Sequence, residues 1–182
     1  AVPARGMQKI PEQLAGALAP GTVVTECPVV EVKPGVVRAG HDLTVRAERI
    51  IVATEGPVAS KLLGIDPVAS RSASCVWYAA PAPPLHDRLI VLDGANSGPA
   101  LNVAVMTNIS PEYGPGGGRA LIAAACPGLL SGDLEPAVRI QLRSWWGAGV
   151  DSWVHLRTDA IAHGQPGQAP PFHPKQRQSL GG

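Results

Sequence analysis

The chain has 182 residues, a formal net charge of +1 and an apolar fraction of 45%. That length suits one domain burying roughly 70% of its unfolded surface. The near-neutral balance argues against a nucleic-acid partner: eleven arginines and four lysines are scattered from Arg5 to Arg177 with no basic patch. No apolar run approaches the roughly 20 residues that cross a bilayer, so no transmembrane segment is expected.

The opening AVPARGMQKIPEQ has no apolar h-region and does not form a signal peptide. It also lacks an initiator Met, so the chain is expected to be an excised or incomplete piece. Pro11 to Ala19 predicts a short helix: Pro11 suits a first turn, Glu12 a positive helix end, and Pro20-Gly21 stops it. Leu14 and Leu18, four apart, would form its buried stripe. Three strand patterns follow at Val23–Lys33, Val36–Arg38 and Leu43–Ala53, with turns at Pro34-Gly35 and Gly40-His41-Asp42. In the first, alternation puts Val30 and Val32 on one face, Val29 and Glu31 on the other. The third closes on Ile50-Ile51-Val52-Ala53, expected as a buried strand, and breaks at Thr54-Glu55-Gly56-Pro57. A small-residue exit of this kind brings backbone close to a ligand.

Beyond Pro57 the pattern predicts a brief helix over Val58–Leu63, ended by Gly64. Strands are expected at Ala73–Ala80, Leu89–Leu92, Leu101–Ile109 and Ala120–Ala125. Their turn-rich spacing suggests an antiparallel sheet rather than βαβ units. A helix from Asp133 to Trp146 carries Leu134, Val138, Leu142, Trp145 and Trp146 as one stripe, with Arg139 and Arg143 on a wetter side. Ser131 or Asp133 caps it and Gly147 ends it. A last strand spans Trp153–Ile161. The Pro/Gly-rich remainder from Gly164 lacks periodicity and is expected to be extended.

No catalytic constellation stands out. The cysteines Cys27, Cys75 and Cys126 are widely spaced and are assigned to small, partly buried thiols. The five histidines are dispersed, and no metal site is expected. There is no GxSxG elbow. The run Gly114-Pro115-Gly116-Gly117-Gly118 lacks the Lys-Ser/Thr of a phosphate loop and is taken to join two strands. Trp77, Tyr78, Trp145, Trp146 and Trp153 either line a cavity or pack a core; packing is favoured.

The order of segments is more telling than any one of them. GMQKIPEQLAGAL, TECPVVEV, AERIIVATEGPVASKLL, a sheet, then LEPAVRIQLRSWWG and WVHLRTDAIAHGQPGQ together resemble the C-terminal half of the flavin-containing amine oxidase superfamily. That group includes monoamine and polyamine oxidases, protoporphyrinogen oxidase and phytoene-desaturase-like enzymes. The last, with neighbouring NAD(P)/FAD-dependent oxidoreductases, is the most similar. The resemblance runs from about Gly6 to Pro171.

It implies an α+β fold (an α/β fragment): a three-stranded β-meander from an FAD-binding domain, plus an antiparallel sheet with helices from a substrate domain. The implied divisions are 1–64 for the partial FAD domain, 65–163 for the substrate-domain sheet and helix, and 164–182 for the extended tail. It implies that the Val29 backbone meets the adenine. It also implies that Ala53, Thr54 and Gly56 form the small-residue turn beside the cofactor, and that His163 to Gln168 lead toward the flavin's substrate side. Neither the GxGxxG fingerprint nor the family's C-terminal glycine-aspartate segment is found in these residues, so FAD is expected in the full-length protein and only weakly or not at all in this chain alone. The implied activity is hydride transfer from a small organic substrate to flavin, with no catalytic residue assigned and the isolated chain inactive. The alternatives are a non-catalytic binding or assembly module that keeps the substrate-domain fold, and a β-rich sandwich unrelated to flavin. Cytoplasm or plastid is expected over secretion, and self-association through exposed apolar surface is expected.

Overall fold

The computed structural model describes residues 2–67, 69–128 and 133–168. The chain divides into two compact units: Leu18–Arg71 with His163–Gly182, and Ala1–Ala17 with Ser72–Ala162. Fold class is α+β, with one three-stranded and one five-stranded sheet.

The first unit holds the meander β1 (Val29–Lys33), β2 (Val36–Ala39) and β3 (Leu43–Arg46), antiparallel and in that order. Pro34-Gly35 closes the first hairpin between the paired Lys33 and Val36. Pro presets φ at its position, and Gly35 takes the left-handed φ of +75° that this turn needs next. The second hairpin turns through His41 and Asp42, both at positive φ, with the Leu43 N–H donated to the Gly40 carbonyl at 3.4 Å. Paired positive φ values match the right-handed twist of the strands they join.

Both outer strands are shorter than their sequence patterns suggest. The first starts at Val29 rather than Val23, because Glu26 sits at φ +57° and interrupts the extended chain before Cys27-Pro28. The third ends at Arg46 rather than Ala53. Arg46 pairs with Val36, the first residue of β2, so the partner strand is used up there. Ile50–Ala53 is therefore not a buried strand, and Ile51 is 90% exposed. The expected alternation in β1 fails too. Val29 pairs with Ala39 and Glu31 with Arg38, which leaves Val30 as the extra residue of a β-bulge. Helix α2 (Gly56–Leu63) has Pro57 in its first turn and ends at Gly64. The Ser60 hydroxyl, buried, donates to the Gly56 and Asp66 carbonyls.

The second unit holds a sheet in the order β5-β6-β7-β4-β8, made of β4 (Ser70–Ala80), β5 (Ile90–Leu92), β6 (Asn102–Val105), β7 (Ala120–Pro127) and β8 (Val154–Pro166). The end residues Ser70–Arg71 and His163–Pro166 of two strands belong to the first unit. One face carries Val76, Tyr78, Val103, Val105, Ile122, Ala124 and Cys126, and α4 (Leu134–Trp146) covers it with Leu134, Val138 and Leu142. Each such side chain, fully buried, contributes about 1.5–3 kcal/mol. Asp133 caps α4 by accepting from the Glu135 N–H, and Gly147 follows it. Ser131, the other expected cap, lies outside the described residues, as does the tail beyond Gln168. The nearer part of that tail is not loose, since β8 continues through Pro166.

Three more expectations change. β6 stops at Val105, one residue past the end of its three-residue partner β5, and the chain turns into the single helical turn α3 (Met106–Ile109). Helix α1 (Lys9–Gly16) buries no residue, and its predicted stripe is exposed, Leu14 by 66%. Arg139 is not on a wet side of α4. Its guanidinium stacks 5.1 Å from the Tyr78 ring, pairs with Glu135, and donates to the Val150 and Trp153 carbonyls.

Candidate functional site

The Gly40 N–H donates to the Pro28 carbonyl at 2.8 Å, so that carbonyl faces β2. In a planar trans peptide the C=O and the next N–H point to opposite sides. The Val29 N–H is therefore directed away from β2. β1 is an edge strand, and among the described residues no strand takes that side. The bulge at Val30 interrupts pairing at the next residue, and Val29 is 43% exposed. One backbone donor thus faces away from the sheet beside a half-exposed apolar side chain. A planar, nitrogen-rich ring is recognised by backbone groups of this kind together with apolar contact.

α2, which begins at Gly56, packs against β1, the strand that carries Val29. Ala53 and Thr54 form the exposed approach to that helix and make no hydrogen bond to β1; the Thr54 hydroxyl donates to the Glu55 carbonyl at 3.4 Å. Glu55 caps the helix without a side-chain hydrogen bond. Pro57 has no N–H, so the first turn offers few donors, and the Glu55 carboxylate stands beside them. This helix end is a poor anion site compared with a glycine-rich one.

Two features of this unit were missed from sequence. Glu31 sits between Lys33 Nζ at 2.6 Å and Arg38 Nη1 at 3.4 Å. The Lys33 hydrogen bond, ahead of the other charge effects, holds its carboxyl below the usual range. Alternation along β1 already sets Glu31 and Lys33 on one face; what the sequence does not give is the register that places Arg38 directly opposite Glu31. The second feature is a pair 93 positions apart, Ser70 Oγ and His163 Nδ1, at 2.6 Å on the exposed surface. The Gly167 N–H bonds the Ala69 carbonyl next to it.

In the sheet unit, chemistry gives way to packing. Tyr78 and Trp153 are buried and meet edge to face, with Trp145 and Trp146 half-buried beside them. Burial, followed by the nearby Glu135, drives the Tyr78 hydroxyl far above its ordinary value. Burial also pushes the thiols of Cys75 and Cys126 up to about 11, so neither is a thiolate nucleophile at neutral pH. Among the described residues no three His, Cys, Asp or Glu side chains are grouped to hold a metal, and no helix is long and apolar enough to cross a membrane.

Residues 1–177 match the family model described as flavin containing amine oxidoreductase. A comparison with curated protein sequences returned no match. Among solved structures, a putative protoporphyrinogen oxidase from Exiguobacterium sp. 255-15 superposes with a TM-score of 0.69 at 13% identity, over 90% of this chain and 40% of that one. A reduced UDP-galactopyranose mutase gives 0.70 at 11% identity, over 94% and 42%. A putrescine oxidase bound to putrescine gives 0.60 at 17%, over 85% and 38%. At these identities the likeness is one of fold. The chain spans about two fifths of the length of these structures.

Proposed function

The chain belongs to the flavin containing amine oxidoreductase family, and from that membership we propose that it supplies part of an FAD-dependent oxidoreductase acting on a small organic substrate. When bound, the flavin accepts a hydride from that substrate; the protein's share is to hold, orient and exclude water. The meander unit belongs to the FAD-binding domain in this proposal, and the five-stranded sheet to the substrate domain.

The observation that carries the assignment is the outward Val29 N–H on an edge strand interrupted by a bulge. The residues fit the adenine half of FAD: the Val29 backbone would hold the ring beside an apolar side chain, and Ala53, Thr54 and Gly56 would form the small-residue turn at the cofactor. They do not fit the pyrophosphate, since no GxGxxG occurs in the 182 residues and the α2 start is acidic. FAD bound by this chain alone is accordingly weak.

The test is an amide-resolved NMR titration of the chain with AMP and with FAD. Saturable shifts are expected at the Val29 and Val30 amides for both ligands. Val29→Pro deletes the donor on the unpaired side of an edge strand, where proline is tolerated. It should weaken AMP binding roughly tenfold, the loss of one hydrogen bond to a ligand. Shifts confined to other residues, or equal binding by Val29→Pro, would reject the adenine assignment.

A further inference from the structure

β8 is the outermost strand of the five-stranded sheet, and among the described residues nothing pairs with its outer edge. Its first nine residues, Val154 to Ala162, lie within the sheet unit. They contain neither proline nor lysine, and their two charged residues, Arg157 and Asp159, are of opposite sign, so the edge carries no single-sign charge to repel a like strand. Val154, Leu156 and Ile161 are all exposed on it.

The sequence of this edge is complementary to itself when reversed. Thr158 is the centre, Arg157 and Asp159 flank it, and beyond them stand Leu156 with Ala160, His155 with Ile161, and Val154 with Ala162. We propose that β8 pairs antiparallel with β8 of a second copy of this chain, about a two-fold axis through Thr158. Each Arg157 then lies directly opposite the other copy's Asp159, twice over, and the two Thr158 side chains meet. The apolar residues of each copy fall against apolar or small partners, save the Ile161–His155 pairs.

Charge also fixes the register. Sliding the pairing by two residues one way sets Arg157 against Arg157, and the other way sets Asp159 against Asp159. Opposite charges placed directly across strands stabilise, and like charges destabilise. Within the chain Asp159 already holds Arg157 at 3.1 Å and accepts the Trp77 indole N–H at 2.8 Å. The two groups thus already face each other on the strand before a partner arrives, and the pairing completes an alternating square of four charges. The contact is isologous, so it closes at two copies rather than growing into a fibre.

The experiment is sedimentation velocity on the 182-residue chain across a concentration series at low salt. A monomer–dimer equilibrium is expected. R157D and D159R each replace two attractions by two repulsions, and each should raise the dimer Kd roughly tenfold. An equimolar mixture of R157D and D159R restores both opposite-charge pairs across the axis, and should form heterodimers with a Kd within about threefold of the parent. Tryptophan fluorescence verifies that each variant keeps its fold. R157D leaves the Trp77–Asp159 bond in place, so its own weakening is informative even if D159R folds poorly. A parent that stays monomeric overturns the proposal. So do single variants that dimerise like the parent, or two folded variants whose mixture forms no heterodimer.

Discussion

Asp93 accepts hydrogen bonds from the Ala95, Ser97 and Gly98 amides, from the Ser97 hydroxyl and from the Gln141 side-chain amide. Gln141, buried in α4, donates to the Ala100 carbonyl and accepts from the Ala100 N–H, so one polar side chain clamps the loop between β5 and β6. The fit is close. A Cβ on Gly98 would stand 2.5 Å from the Gln141 amide carbon. Desolvation pushes the Asp93 carboxyl upward, and the hydrogen bonds from Ser97, Ala95 and Gly98 outweigh it, so its pKa falls below the ordinary value. A depressed carboxyl contributes stability above its unfolded pKa, about 3.9, and loses it as pH falls through the folded value. Asp93→Asn should therefore be less stable than the parent at pH 5–7, with the gap closing in acid below the ordinary carboxylate range. Urea midpoints measured against pH decide it, and a gap constant down to the most acid point contradicts it. Nothing in the spacing of Asp93 and Gln141 announced this network. It joins positions 48 apart, and only the packing of α4 on the sheet makes them neighbours.

Elements were legible where a local signal acts alone. Pro57 and Gly64 bound α2, Asp133 and Gly147 bound α4, and Pro34-Gly35 sets the first hairpin. Gly35→Ala isolates the last of these. The added Cβ meets only the Ala47 carbonyl, at an ordinary 3.8 Å, so the cost is conformational rather than steric. A loss of about 1 kcal/mol is expected from the left-handed backbone, with Gly35→Asn costing less. Amide exchange of β1 and β2 measures it, and equal protection in Ala and Gly forms would contradict it. Strand ends were less legible because a strand lasts only as long as its neighbour. β3 stops where its partner β2 runs out, and β6 stops one residue beyond the end of its short partner β5, although their own sequences stay β-prone and apolar.

At the scale of the whole molecule, burial is unevenly divided. Among the described residues, every member of the hydrophobic core lies between Val76 and Trp153, whereas between Leu18 and Arg71 only Ser60 is buried. All four tryptophans belong to the sheet unit, so their fluorescence reports on that core alone. Leu142→Ala, at a fully buried position on α4, should lower the stability seen by tryptophan emission by about 2–5 kcal/mol. A loss below 1 kcal/mol would mean that the sheet does not depend on α4. The meander unit leaves Val23, Val24, Val29, Val30 and Ile51 exposed, and among its described residues no apolar side chain is buried. The sequence by itself determined the α+β class, the meander, the capped helix α4 and the flavoprotein family, because turns, caps and segment order act through neighbours in the chain. The tertiary structure alone decided the bulge at Val30, the outward Val29 N–H, the Asp93–Gln141 clamp and the free edge of β8, because each depends on which distant strand or helix lies alongside.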